Sequence, residues 1–166
     1  MFYVQRRVGR DYSRFGCIKF RTMRADADAV LARVLDEDPG LRSEFERDFK
    51  LRRDPRITRV GQFLRRSSLD ELPQFLNVLR GEMSVVGPRP IVDRELTRYG
   101  DYMDEVAAVR PGLTGLWQVS GRNNLSYKKR VKLDLAYARG RSFSLDLAII
   151  LRTFGVLLLP MDRGAY

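Results

Sequence analysis

The sequence predicts an α+β fold: a mainly helical single domain over residues 1–166, with a small N-terminal β-hairpin and short strands. Three observations carry that expectation. Two strand-like runs open the chain, helical periodicity with capping residues follows them, and no repeat, low-complexity tract or linker divides the 166 residues. A hydrophobic content of 44% is enough for a core, and 31% charged residues is not the composition of a disordered chain.

The hairpin is read from Phe2 to Val8 and Phe15 to Thr22, joined by the polar loop Gly9 to Arg14. In the second run Ile18 and Phe20 alternate with Lys19 and Arg21, which places the two cations on one face. From Ala25 to Leu35 the period becomes helical, with Ala27, Val30, Leu31, Val34 and Leu35 on one side. Asp38 as N-cap and Pro39 as first helical residue start a second helix through Phe49. This acidic pair reads as scaffold.

An Arg-rich turn at Arg52 to Arg56 leads into an amphipathic stretch with Val60, Phe63 and Leu64, and then into a helix over Ser67 to Gly81 closed by its C-terminal glycine. Val86-Gly87-Pro88-Arg89-Pro90 is a rigid turn, because each proline fixes its own φ and extends the residue before it. Arg110 to Gly115 is expected to be another turn, followed by a short strand at Leu116 to Val119. Leu145 to Leu159 is strongly apolar, with Asp146 and Thr153 as a thin polar stripe, but too short and interrupted to span a bilayer; nothing at the start resembles a secretion signal.

Composition removes several chemistries. There is no histidine, and the lone Cys17 can neither close an internal disulfide nor build a Cys/His zinc site. Net charge is +10, concentrated in three basic blocks: residues 1–24 carry +6, 52–66 carry +5 and 106–141 carry +7. Only five of the 31 basic residues are Lys, and arginine grips phosphate with a planar fork. Nucleic acid, anionic lipid and nucleotide-linked metabolites all fit that charge.

The candidate chemistry lies at Asp70 and Glu71. Ser68-x-x-Glu71 matches a capping box, so two acids here could simply serve a helix start. Pro73 sits badly with Ser68 as N-cap and is harmless if the helix begins at Asp70. In the functional reading Arg65, Arg66 and the turn-held Arg89 surround the dyad with cations, and an ionised Asp70 attacks a phosphate whose oxygens are neutralised by arginine and a hard divalent ion.

The chain also resembles the bacterial monotopic phosphoglycosyl transferases, which start polysaccharide assembly on undecaprenyl phosphate. The resemblance rests on Lys19-Phe20-Arg21-Thr22-Met23, Asp54-Pro55-Arg56-Ile57-Thr58, Ser68-Leu69-Asp70-Glu71-Leu72-Pro73-Gln74, Gly87-Pro88-Arg89-Pro90, the run from Arg110 to Arg122, and the closing Arg163-Gly164-Ala165-Tyr166. It implies that Asp70 attacks the β-phosphate of a nucleotide-diphosphate sugar, uridine being the family's usual base. Undecaprenyl phosphate would then take the sugar phosphate. By the same resemblance Asp70 and Glu71 would hold Mg²⁺, or Mn²⁺; Arg65 and Arg89 would clamp phosphate oxygens with Lys19 nearby; and Gln118, Gly121 and Arg122 would lie on the substrate side.

Family members carry an apolar re-entrant membrane helix before the segment resembling Phe2 to Val8. Its lack here leads to the expectation of a truncated form or one that relies on peripheral contacts, at the cytoplasmic face of the inner membrane. The apolar run at Leu145 to Leu159 would then be an amphipathic helix at an anionic membrane surface, with Arg139 and Arg141 suited to headgroups; a core helix is the plain alternative. The rival from another class is a basic nucleic-acid-binding module using Lys128-Lys129-Arg130 and Lys132, although no helix-turn-helix, finger or RNP pattern accompanies it. A scaffold protein whose dyad merely caps a helix is the third. Oligomeric state is not legible.

Overall fold

The computed structural model describes residues 1–48, 51–121 and 125–158. Phe49, Arg122, Leu159 and the closing Arg163 to Tyr166 motif lie outside them.

The hairpin forms as expected. β1 (Phe2–Val8) pairs antiparallel with β2 (Arg14–Phe20), in a register that sets Tyr3 opposite Lys19 and Gln5 opposite Cys17. α1 (Ala27–Glu37) and α2 (Pro39–Asp48) follow and pack on one another. Asp38 is the expected cap: its Oδ1 accepts from the backbone N–H groups of Gly40 at 2.8 Å and Leu41 at 3.0 Å.

α3 (Arg59–Ser67) begins at Thr58, whose hydroxyl accepts from the Gly61 N–H at 2.9 Å. It lies hard against the end of the hairpin. A Cβ at Gly61 would sit 2.0 Å from the Thr22 carbonyl oxygen, so only glycine allows this approach.

Two sequence expectations fail, each for a local reason. The single helix over Ser67 to Gly81 is instead a left-handed Ser68 (φ 59°), a 3₁₀ segment over Leu69–Gln74 and a short α4 (Phe75–Leu79). Ser68 makes no side-chain cap, and Pro73, which has no N–H to donate, falls inside the 3₁₀ segment. The glycine end does hold, with Gly81 at φ +74°.

The second failure is at Arg110 to Val119. The expected turn contains β4 (Gly112–Thr114), parallel to β3 (Ser84–Val86), and the expected strand is the one-turn helix α7 (Leu116–Val119). Close backbone approach decides it, since a Cβ at Gly112 would lie 2.1 Å from the Gly87 nitrogen. A four-residue apolar run is ambiguous between strand and helix until such contacts choose.

α5 (Leu96–Tyr99) and α6 (Met103–Ala107) lie between β3 and β4, and α8 (Tyr127–Gly140) and α9 (Phe143–Leu158) close the described chain. One core cluster joins Val8, Ile91, Tyr99, Met103, Val106, Val131 and Leu135; a second joins Phe15, Cys17 and Met83 under the hairpin. The third seats α9, through Ile149 against Val86 and Tyr137. On the opposite side of α9, Phe143, Leu147, Leu151 and Phe154 are exposed at helical spacing, so the helix is core on one face and bare apolar surface on the other.

Candidate active site

The dyad is positioned by two anchors that tie the helices on either side of the 3₁₀ segment, α4 and α3, to the hairpin and the residues just after it. The first is Asn77 on α4, fully buried, whose amide donates to the Gly16 carbonyl at 2.8 Å and to Glu82 at 2.6 Å while its oxygen accepts from the Ile18 N–H at 3.1 Å. This holds β2 beside the dyad. The next residue on β2 is Lys19, and its Nζ donates to Glu71 Oε1 at 2.6 Å.

The second anchor is Thr22. Its carbonyl accepts from the Thr58 N–H at 3.0 Å, and its hydroxyl accepts from Arg65 Nε at 2.9 Å. Arg65 is thereby turned back from the end of α3 toward Asp70, whose charge it feels. The turn before α3 is itself rigid, because Arg56 forks onto Asp54 with bonds of 2.7 and 2.6 Å.

Adjacent in sequence, the two carboxyls are shifted in opposite directions. Burial and the neighbouring Glu71 charge raise Asp70, and Lys19 and Arg65 offset them only in part. Burial would raise Glu71 too, but the charge and hydrogen bond of Lys19, followed by the charge of Arg89, outweigh it and leave Glu71 below its usual range. Glu71 is thus the fixed anion of the pair. Gln74, buried beneath, lies near enough to favour that ionised form, although its amide nitrogen makes no well-formed hydrogen bond among the described residues.

Arg89 acts on Glu71 through its charge. The Gly87 N–H donates to the Thr114 carbonyl at 2.9 Å, the Gly112 N–H donates to Pro88 at 2.8 Å, and buried Arg7 donates to the Pro90 carbonyl at 2.9 Å, which pins the turn between β1 and β4. The Arg89 guanidinium lies 5.8 Å from the Trp117 ring centroid. Lys19 and Arg65 act on Asp70 and Lys19 and Arg89 on Glu71, whereas Arg66, which the sequence reading also set around the dyad, is exposed at the end of α3.

The three residues read as substrate-side are a different matter. Gln118 donates to the Leu113 carbonyl at 3.0 Å and stays half-buried, Gly121 adopts φ +139°, and Arg122 is not among the described residues. No contact brings Gln118 or Gly121 to the dyad among the described residues. Sequence reasoning missed Thr22, Gln74 and Asn77 as positioning residues, although all three lie in or beside motifs it had singled out.

Among the described residues no group of three or more acidic or thiol side chains could hold a metal ion by itself. The two dyad carboxylates nevertheless suit Mg²⁺, which commonly takes one or two protein carboxylates and completes its shell with water and substrate phosphate oxygens. Hard oxygen donors beside three cations are a setting for a polyanionic phosphate.

Comparison with known proteins places this architecture. A family model described as bacterial sugar transferase matches residues 1–160. The chain is 53% identical over 164 residues to the UDP-galactose-lipid carrier transferase of Erwinia amylovora, and 52% identical over 164 residues to the undecaprenyl-phosphate galactose phosphotransferase of Salmonella typhimurium. Each alignment covers 99% of this chain and 34% of the relative, so the chain spans about a third of those proteins. It is also 47% identical over its whole length to the exopolysaccharide production protein ExoY of Sinorhizobium fredii, covering 73% of that relative.

Proposed function

This chain belongs to the bacterial sugar transferase family, and from that premise we propose that it transfers a sugar 1-phosphate from a nucleotide-diphosphate sugar, a UDP-hexose, to undecaprenyl phosphate. The observation that carries the reading is the dyad, with Glu71 held as an anion by Lys19, and Asp70 next to it under the charge of Arg65.

The proposed chemistry has two steps. A carboxylate oxygen of Asp70 attacks the β-phosphorus, the bond to the bridging oxygen breaks, and the nucleoside monophosphate leaves with that bond's electron pair. A phosphate oxygen of the lipid acceptor then attacks the same phosphorus, releasing the Asp70 carboxylate and forming the lipid diphosphate sugar. Arg65 and Arg89 neutralise phosphate oxygens, and Lys19 keeps Glu71 ionised and oriented. Mg²⁺ held by Asp70 and Glu71 would supply further charge neutralisation at those oxygens.

Release of nucleoside monophosphate from a panel of nucleotide sugars tests this, with intact mass read for a sugar-phosphate adduct. Turnover on a UDP-hexose, an adduct lost in Asp70→Asn and arrest by EDTA with recovery on adding Mg²⁺ are expected. Turnover without adduct would overturn the covalent route.

The acceptor would be met at a membrane surface. No described helix is long and apolar enough to cross a bilayer, but the exposed stripe Phe143, Leu147, Leu151 and Phe154 on α9 suits an interface, with Arg139 and Arg141 just before it. Replacing Leu151 and Phe154 with Glu should abolish co-sedimentation with anionic vesicles while leaving the circular dichroism spectrum intact, because both side chains already face outward.

A further inference from the structure

Arg89 also lines a cleft of about 130 Å³, together with Arg7, Arg94, Arg130, Trp117 and Asp134 among others. Its residues come from β1, the Gly87 to Pro90 turn, the segment before α5, α7 and α8. None of the dyad residues lines it.

Three features point to an anion-binding site. Four guanidiniums line the cleft together with the acids Glu95 and Asp134, and Arg7 Nη1 lies 3.8 Å from Glu95 Oε2. Second, Trp117 is 96% buried, its ring carries Arg130 at 4.9 Å and Arg89 at 5.8 Å, and its indole N–H has no hydrogen-bond partner among the described residues. Arg7 Nε is likewise buried without an acceptor. Buried donors left unpaired are costly, and both of these line a polar space large enough for an oxyanion. Third, burial together with repulsion from Arg89 lowers Arg7 to about 10, and an anion between the two would relieve that repulsion.

Size narrows the ligand. The volume is well below the roughly 300 Å³ at which pockets begin to enclose drug-sized molecules. A tetrahedral phosphate group fits this. We propose that the cleft is a second oxyanion subsite, which takes the phosphate of a phosphate monoester while Asp70 handles the transferred phosphorus. Arg89 links the two, since its charge acts on both Glu71 and Asp134. Two monoesters have this chemistry in the proposed reaction, the departing nucleoside monophosphate and the lipid acceptor. Which one is bound rests on the transfer reading; that an oxyanion is bound does not.

Trp117 is the chain's one tryptophan, so its emission reports directly on the cleft. Titration with inorganic phosphate at constant ionic strength should give a saturable change that persists in Asp70→Asn and weakens by about tenfold or more in Arg130→Gln and in Arg94→Gln, each checked for fold by circular dichroism. Absence of a saturable change, or one abolished by Asp70→Asn and untouched by both arginine variants, would overturn the subsite. Competition with uridine monophosphate and with a short-chain isoprenyl monophosphate assigns the source, the better competitor naming the ester. Saturable phosphate binding by a protein that transfers no sugar phosphate would leave the subsite standing and remove the transfer reading; transfer without such binding would do the reverse.

Discussion

Around Asp70 and Glu71 the protein brings cations to contact, with Lys19 Nζ 2.6 Å from Glu71 and Arg65 aimed by Thr22; around Asp134, in the arginine-lined cleft, it brings a phenol. Tyr99 donates to Asp134 Oδ2 at 2.8 Å, and Oδ1 has no well-formed hydrogen bond among the described residues. The consequences are opposite in sign. Glu71 is held below the usual carboxyl range, whereas burial pushes Asp134 up to about 7 despite Tyr99, Arg89 and Arg130 pulling it down. A carboxylate that must stay charged beside a phosphate needs an ion pair at contact. At Asp134 burial outweighs the Tyr99 hydroxyl, the Arg89 backbone bond and the charges of Arg89 and Arg130, so the proton is held more tightly.

The largest expected effect separates the two sites by chemistry. Asp70→Asn removes the proposed nucleophile and should lower turnover by at least about 10³-fold, with the melting temperature close to that of the parent. Glu71→Gln strands Lys19 and should be similarly severe, and no change of pH should recover either. Substantial nucleoside monophosphate release by Asp70→Asn would dissolve the distinction between a catalytic and a structural carboxyl.

How legible each region was in the sequence follows from how it is assembled. Asp70, Glu71 and Gln74 sit within one short motif, and Lys19 and Arg65 could be assigned to it by resemblance, so the dyad was readable before any coordinates. The cleft was not, because its lining runs from Gln5 to Asp134 and includes Trp117, which sequence reasoning used only as part of a motif. The same logic holds for the fold. The β1–β2 hairpin and the Asp38 cap depend on neighbours and were expected correctly, while the three-residue strands β3 and β4 pair across 28 residues, from Ser84 to Gly112, and left no local periodicity to detect. At Ser68 the capping-box pattern was present and went unused, since the backbone there is left-handed.

The next effect tests whether the dyad's cation is placed by a buried amide. Asn77→Ala would leave the Gly16 carbonyl and the Ile18 N–H without their side-chain partner in a fully buried site. A loss of about 3 kcal/mol in denaturant unfolding is expected. Turnover should fall as well, because β2 carries Lys19. A variant as stable as the parent would mean that the hairpin alone positions Lys19, and the anchor assigned to Asn77 would be wrong.

The smallest effect belongs to Asp134 and appears only as a dependence on pH. Its folded value of about 7 lies above the ordinary 3.8 expected in the unfolded chain. Between those two values the folded state keeps a proton that the unfolded state has released, so stability falls as pH rises through this window. Below it both states are protonated and the contribution is flat; above it both are ionised and the full cost of a buried carboxylate remains. Asp134→Asn keeps an oxygen to accept from Tyr99 and removes the ionisation. The variant should therefore match the parent near the acid end of the window and exceed it at pH 8, the pull of the cleft's cations being already contained in the folded value of about 7. Urea unfolding of both proteins across that range measures it. Parallel curves would show that Asp134 is ionised in the folded state, and the contrast with Glu71 would reduce to a difference in hydrogen-bond partners; a gain that grows with pH and levels off above neutrality would establish that the cleft stores a proton where the dyad stores a charge.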